Sequence, residues 1–209
     1  MSADAIRVIV VVLALAFGAA FWFAFDPSSS VQVKELEDGS IIGREVPTSA
    51  DSRAQKLYWL GLAELRENNN SAAEQFYREA LHYAPEDYVI IQHLALSQYT
   101  QLKLSDAEAN FRRVIKLKPD HAPAHIGIGA IAAHAKDYEK ASRNHLRAVS
   151  LDPHNGLAQW GAGSTLWALG QKDEALPHLR EYVRLLPDAK HASKARAWIA
   201  QHDRGQELD

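Results

Sequence analysis

The chain has 209 residues, a formal net charge of −3 and 47% hydrophobic residues, enough for one sizeable folded domain with additions. It has no cysteine, which excludes disulfides, thiolate nucleophiles and thiolate-bound metals and leaves the redox compartment open. Its near-neutral charge, without basic runs, gives no electrostatic footprint for nucleic acid.

The first predicted element is apolar. Residues 8–25 read VIVVVLALAFGAAFWFAF without a charge. With Ile6 and Arg7 the stretch approaches the ~20 residues that cross a bilayer core. A cleaved signal would end at a small-x-small site before polar residues, but Ala19 and Ala20 run into FWFAF. Residues 1–25 are therefore expected to be an uncleaved transmembrane anchor, with residues 6–25 in the membrane. Arg7 precedes the span, and Asp26, Glu35, Glu37 and Asp38 follow it against Lys34 alone. The positive-inside rule then keeps the N-terminus in the cytoplasm. The expected product is a single-pass protein of the inner (cytoplasmic) membrane with its bulk on the periplasmic side.

Residues 26–51 break the composition and read as a linker. DPSSS leaves the membrane, and VQVKELEDGSIIG follows. Val31 and Val33 alternate with polar residues, and Asp38-Gly39 is a hairpin-turn dipeptide. Two readings stay open here, a short hairpin and a disordered tether, because an isolated two-stranded hairpin is only marginally stable.

From residue 52 the pattern is helical and periodic. Pro85, Pro119, Pro153 and Pro187 recur at strictly equal intervals. Units ending near these prolines start at Ala54, Tyr88, Ala122 and Gly156, and their columns agree. The eighth position is Gly61, Ala95, Gly129 and Gly163. The twentieth is Ala73, Ala107, Ala141 and Ala175. The twenty-fourth is Tyr77, Phe111, His145 and Leu179. Small residues at eight and twenty let paired helices approach, and large ones fill the space around the crossing. A proline just past a helix stops it without breaking an internal hydrogen bond. Pro123, in a first helical turn, is harmless for the same reason.

These columns resemble the tetratricopeptide repeat (TPR) family, a helix–turn–helix of about 34 residues with small residues at eight and twenty and proline at thirty-two. The resemblance covers roughly residues 54–187. It implies an all-α TPR α-solenoid of four repeats over residues 52–187. His145 in an aromatic column and Ala162 in a leucine column depart from the pattern. Residues 188–209 fit no fifth unit. Their amphipathic stretch DAKHASKARAWIAQH, with Ala192, Ala195, Trp198 and Ile199 on one side, reads as a capping helix and tail.

Chemistry is not legible. His121 and His125 stand four apart, but no HExxH motif or cysteine pair accompanies them. The remaining histidines scatter over different columns and read as surface or packing residues. Gly161 and Gly163 follow no strand and form no phosphate loop. Asn69-Asn70-Ser71 fits a glycosylation acceptor as well as a helix-connecting turn. No nucleophile–base pair emerges, so no catalytic residue, metal site or cofactor is expected.

The TPR resemblance implies a groove lined by positions two, five, nine and twelve of each first helix. Carried onto this chain, these positions hold the expected peptide-binding residues Tyr58, Leu62, Gln92, Leu96, Tyr99, Ile126, Trp160, Ser164 and Trp167. None of the positions in these columns is lysine or arginine, unlike TPR proteins that clamp a C-terminal carboxylate. An apolar groove suits an apolar or amphipathic protein segment. The expectation is a membrane-anchored TPR protein–protein interaction module that assists assembly of a membrane or periplasmic complex. Its layout is similar to that of the anchored TPR proteins of bacterial cytochrome c maturation. The alternative is a permanent structural subunit of a membrane complex.

Overall fold

The computed structural model describes residues 46–206 and two short strands before them. Those strands, β1 (Val33–Glu35) and β2 (Ile41–Gly43), pair antiparallel with Val33 opposite Gly43. The expected anchor lies outside the described residues. Among the described residues no helix is long and apolar enough to cross a membrane.

Nine helices follow among the described residues, the first eight in pairs: α1 (Ser52–Arg66) and α2 (Asn70–Tyr83), α3 (Tyr88–Thr100) and α4 (Leu104–Leu117), α5 (Ala122–His134) and α6 (Tyr138–Leu151), α7 (Gly156–Ala168) and α8 (Lys172–Leu185). The ninth, α9 (Ala192–Gln206), packs on α8. Three of the four first helices are started by a side-chain cap. Asp51, Asp87 and Asn155 accept hydrogen bonds from backbone N–H groups of the first turn. His121 stands at the same place before α5 without a side-chain cap bond, and Pro123 in the first turn removes one donor that would need a partner. The second helices end two residues before Pro85, Pro119, Pro153 and Pro187.

The turn inside each unit is equally periodic. Asn68, Leu102, Lys136 and Gly170, again one repeat apart, all adopt positive φ, between 59° and 80°. This left-handed residue reverses the chain between antiparallel helices.

The core is serial rather than central. One cluster joins Ala54, Tyr58, Leu62, Ala73, Tyr77 and Ala80 to Val89, Ile90 and Leu94 of the next unit. A second joins Ile91, Ala95, Ala107, Phe111 and Val114 to Ala124, Ile128 and Ile131. A third holds Ala122, Ala148 and Ala158, and a fourth carries Leu166, Ala175, Leu179 and Tyr182 onto Ala192 and Ala195 of α9. Each unit thus buries its apolar surface only against its neighbours, the signature of a solenoid. The small columns do what their spacing implies. A Cβ on Gly129 or Gly161 would come within about 2.6 Å of the His145 ring, so both glycines hold that side chain between α5 and α7.

Candidate functional site

The candidate surface is built on columns nine and twelve of the first helices. Column nine runs Leu62, Leu96, Ala130 and Ser164; column twelve runs Leu65, Tyr99, Ala133 and Trp167. All are half-buried except Leu62, which is buried. Ile126 and Trp160, from column five, are also half-buried. Leu96, Tyr99, Ile126, Trp160, Ser164 and Trp167 therefore keep accessible surface on successive first helices.

Three expected site residues are corrected by the structure. Tyr58 and Leu62 lie in the core between the first two units. The Tyr58 hydroxyl meets His93 Nε2 at 3.2 Å, and its ring lies edge-on to the His93 ring. Gln92 is buried with its Oε1 against His121 Nε2. Tyr58 and Gln92, from column five of the first two units, are covered by residues of the following unit, whereas Ile126 of the third stays half-buried.

Trp160 and Trp167 are accessible but not free. Trp198, from α9, stacks on both, with ring centroids 5.8 and 5.1 Å away and interplanar angles of 11° and 6°. Trp160 also stacks on His191 at 4.6 Å. Lys172 lies over the Trp167 ring and Lys194 over the Trp198 ring. The indole faces are therefore engaged in holding the cap.

Trp198 is absent from the groove that the sequence alone outlines. It stands one repeat length after Ser164 and so continues column nine, although residues 188–209 fit no complete fifth unit. The cap occupies the place of a fifth first helix, and the repeat interval was the available signal.

The electrostatics serve the stack. Glu74 on α2 is buried and accepts from Arg78, Lys103 and Gln101 at 2.7–2.9 Å. Burial opposes its ionisation, but these donors outweigh it and hold the carboxyl at about 2. Glu108, at the equivalent place one unit on, accepts from Lys140 at 2.7 Å. Burial pushes His93, His121 and His145 down to about 4, so they are neutral at pH 7. His121 Nε2 is engaged by Gln92 and His125 Nε2 by the Pro119 carbonyl, so the pair does not converge on a common point. Among the described residues no group of three or more His, Asp or Glu side chains is placed to hold a metal.

Comparison with known proteins agrees with this architecture. Tetratricopeptide repeat models match residues 54–87, 94–148 and 141–190, more than half of the chain. Protein O-mannosyl-transferase Tmtc3 of Drosophila melanogaster is 29% identical over 107 residues, which are 50% of this chain but only 12% of that protein. A solved structure of Pseudomonas aeruginosa pilF superposes with a TM-score of 0.66 at 20% identity, covering 74% of this chain and 71% of that one. The first TPR of Spaghetti (RPAP3), bound to the HSP90 peptide SRMEEVD, superposes with a TM-score of 0.54 at 20% identity over 56% of this chain and 94% of that one. These structural likenesses carry the fold. With the periodic columns, the paired helices and the repeat models in agreement, the chain belongs to the tetratricopeptide repeat family, whose fold is a protein-interaction scaffold.

Proposed function

We propose that this chain is a membrane-tethered scaffold that holds an apolar or amphipathic protein segment along the half-buried row Leu96, Tyr99, Ile126 and Ser164, up to the edge of the Trp160–Trp198–Trp167 stack. The observation that carries the reading is chemical: accessible apolar and aromatic side chains recur on successive first helices, and none of the lining columns offers a lysine or arginine. Such a surface suits a segment that buries apolar side chains. It is a poor match to an acidic peptide such as the SRMEEVD bound by the RPAP3 repeat.

The tether is the uncharged stretch 8–25, oriented by Arg7 so that the repeats stand on the non-cytoplasmic side. A scaffold held there is suited to assembly of membrane or periplasmic complexes, and cytochrome c maturation is one process that fits the layout. The test is calorimetry of the full-length chain against two peptides, a designed amphipathic helix and SRMEEVD. Binding of the helix with little salt dependence, and none of SRMEEVD, is the expected outcome. The reverse preference would remove the proposal.

A further inference from the structure

The first helix leaves open a face that later units bury. Lys56, Trp59, Leu60 and Ala63 recur at helical spacing along α1 and are all exposed, Trp59 and Leu60 at 40% each. Their equivalents one repeat on are Ile90, His93, Leu94 and Ser97, none above 3%. In the fourth unit the same columns hold Ala158, Gly161, Ala162 and Thr165, again buried. At about 100° per residue this face lies opposite the Ala54–Tyr58–Leu62 ridge that packs on the second unit.

The described residues that lead directly into α1 are held elsewhere. The Ser49 N–H donates to the Asp87 carboxylate at 2.7 Å, and Gln55 Nε2 donates to the Ser49 carbonyl at 2.8 Å. These bonds tie the entering segment to the start of α3, on the side facing the second unit.

Charge identifies the occupant. Around the open face the N-terminal half of α1 carries Arg53 and Lys56, and the C-terminal end carries Glu64 and Glu67 on the Leu60 side, with Arg66 bordering it beside Trp59. Asp51 at the N-cap and Arg66 in the last turn suit the helix macrodipole, which favours acids early and bases late, whereas Lys56, Glu64 and Glu67 run in the opposite order. It is self-complementary when two copies of the helix lie antiparallel. Arg53 already pairs with Asp51, and Glu64 accepts from Asn69. Lys56 and Glu67 have no ion-pair partner among the described residues.

We infer that α1 is a self-association surface, on which a second copy of this chain lays its own α1 antiparallel with Leu60 near the two-fold axis. Trp59 and Leu60 of each copy cover those of the other. Lys56 of each lies against the Glu64–Glu67 turn of its partner, so every charge contact occurs twice. One helix face per copy falls below the ~1,200 Å² of a stable interface, so the association is weak and concentration-dependent.

The absence of cysteine makes the test direct. In full-length chain in a non-ionic detergent, Leu60→Cys should form a disulfide-linked dimer, whereas the control Leu146→Cys, another exposed leucine, should not. Added to Leu60→Cys, Lys56→Glu makes the face acidic, and Glu64→Lys with Glu67→Lys makes it basic. Each charge variant alone should lose at least about tenfold in crosslinking, because like charges then face each other. Mixed together and told apart by a size tag, the two should crosslink mainly as the heterodimer. Leu60→Cys crosslinking no better than Leu146→Cys would overturn the inference. So would crosslinking indifferent to the charge changes, or a thiol at position 60 shielded from maleimide in monomeric chains, which would assign the face to another segment of the same chain.

Discussion

His93, His121 and His145 sit where neighbouring units meet, each nearly excluded from water. His93 faces Tyr58 and Tyr77, and His121 further disfavours its charge. His121 faces Tyr88 and Gln92, with Lys118, Asp120 and His125 around it. His145 fills the cleft left by Gly129 and Gly161. Their folded values near 4 lie below the ordinary 6.5, so the unfolded chain takes up protons first as pH falls. Stability from these sites is complete above about pH 6.5 and is lost progressively down to about pH 4, on the order of 3 kcal/mol for each histidine. Denaturant midpoints should therefore drop clearly between pH 7 and pH 5, and equal midpoints would contradict this account. Leu102 gives a second prediction. It is 68% exposed and adopts φ 60°, where Gly170 stands in the fourth unit. Leu102→Gly relieves the left-handed strain against a smaller unfolded-state penalty, and thermal melting should show a gain of roughly 0.5–1 kcal/mol. The left-handed column was not legible in the sequence, because only one of its four members is glycine. The small columns at eight and twenty were legible, because every position in them, from Gly61 and Ala73 to Gly163 and Ala175, is glycine or alanine.

At the scale of elements, helix pairs and their punctuation follow from the repeat interval, since prolines and small residues recur with it in every unit and side-chain caps in three of the four first helices. Ala141 lies fully buried where α6 crosses its partner. Ala141→Leu overpacks that crossing and should lower stability by about 1–3 kcal/mol in a melting experiment; an unchanged midpoint would contradict the helix register. The cap was legible as an amphipathic helix, and Ala192 and Ala195 are buried with Trp198 and Ile199 beside them. Its aromatic contacts were not legible, because stacking depends on which side chains two helices bring face to face. Arg180–Asp203 and His202–Asp173 add polar ties between α8 and α9. Trp198→Ala removes the ring between Trp160 and Trp167 and should speed amide exchange in α9 more than in α3. Equal effects on both helices would count against a localised latch.

At the scale of the whole molecule, serial clusters let each unit rest on its neighbours, and the first helices then present one side chain after another in register. The groove was only partly legible in the sequence. Spacing places Tyr58, Leu62 and Gln92 in the same set of columns as Tyr99 and Ile126, but burial by the following unit and by the core removes the first three. The central claim is that Leu96, Tyr99 and Ile126 bind an apolar segment. The measurement that tests it most directly is calorimetry of the full-length chain carrying Leu96→Ala and Tyr99→Ala against the amphipathic helix peptide, with circular dichroism on the same protein. The account predicts an intact helical spectrum and affinity lowered at least tenfold, since truncating a central aromatic contact often costs about 2 kcal/mol. Unchanged affinity in a folded double variant would contradict it.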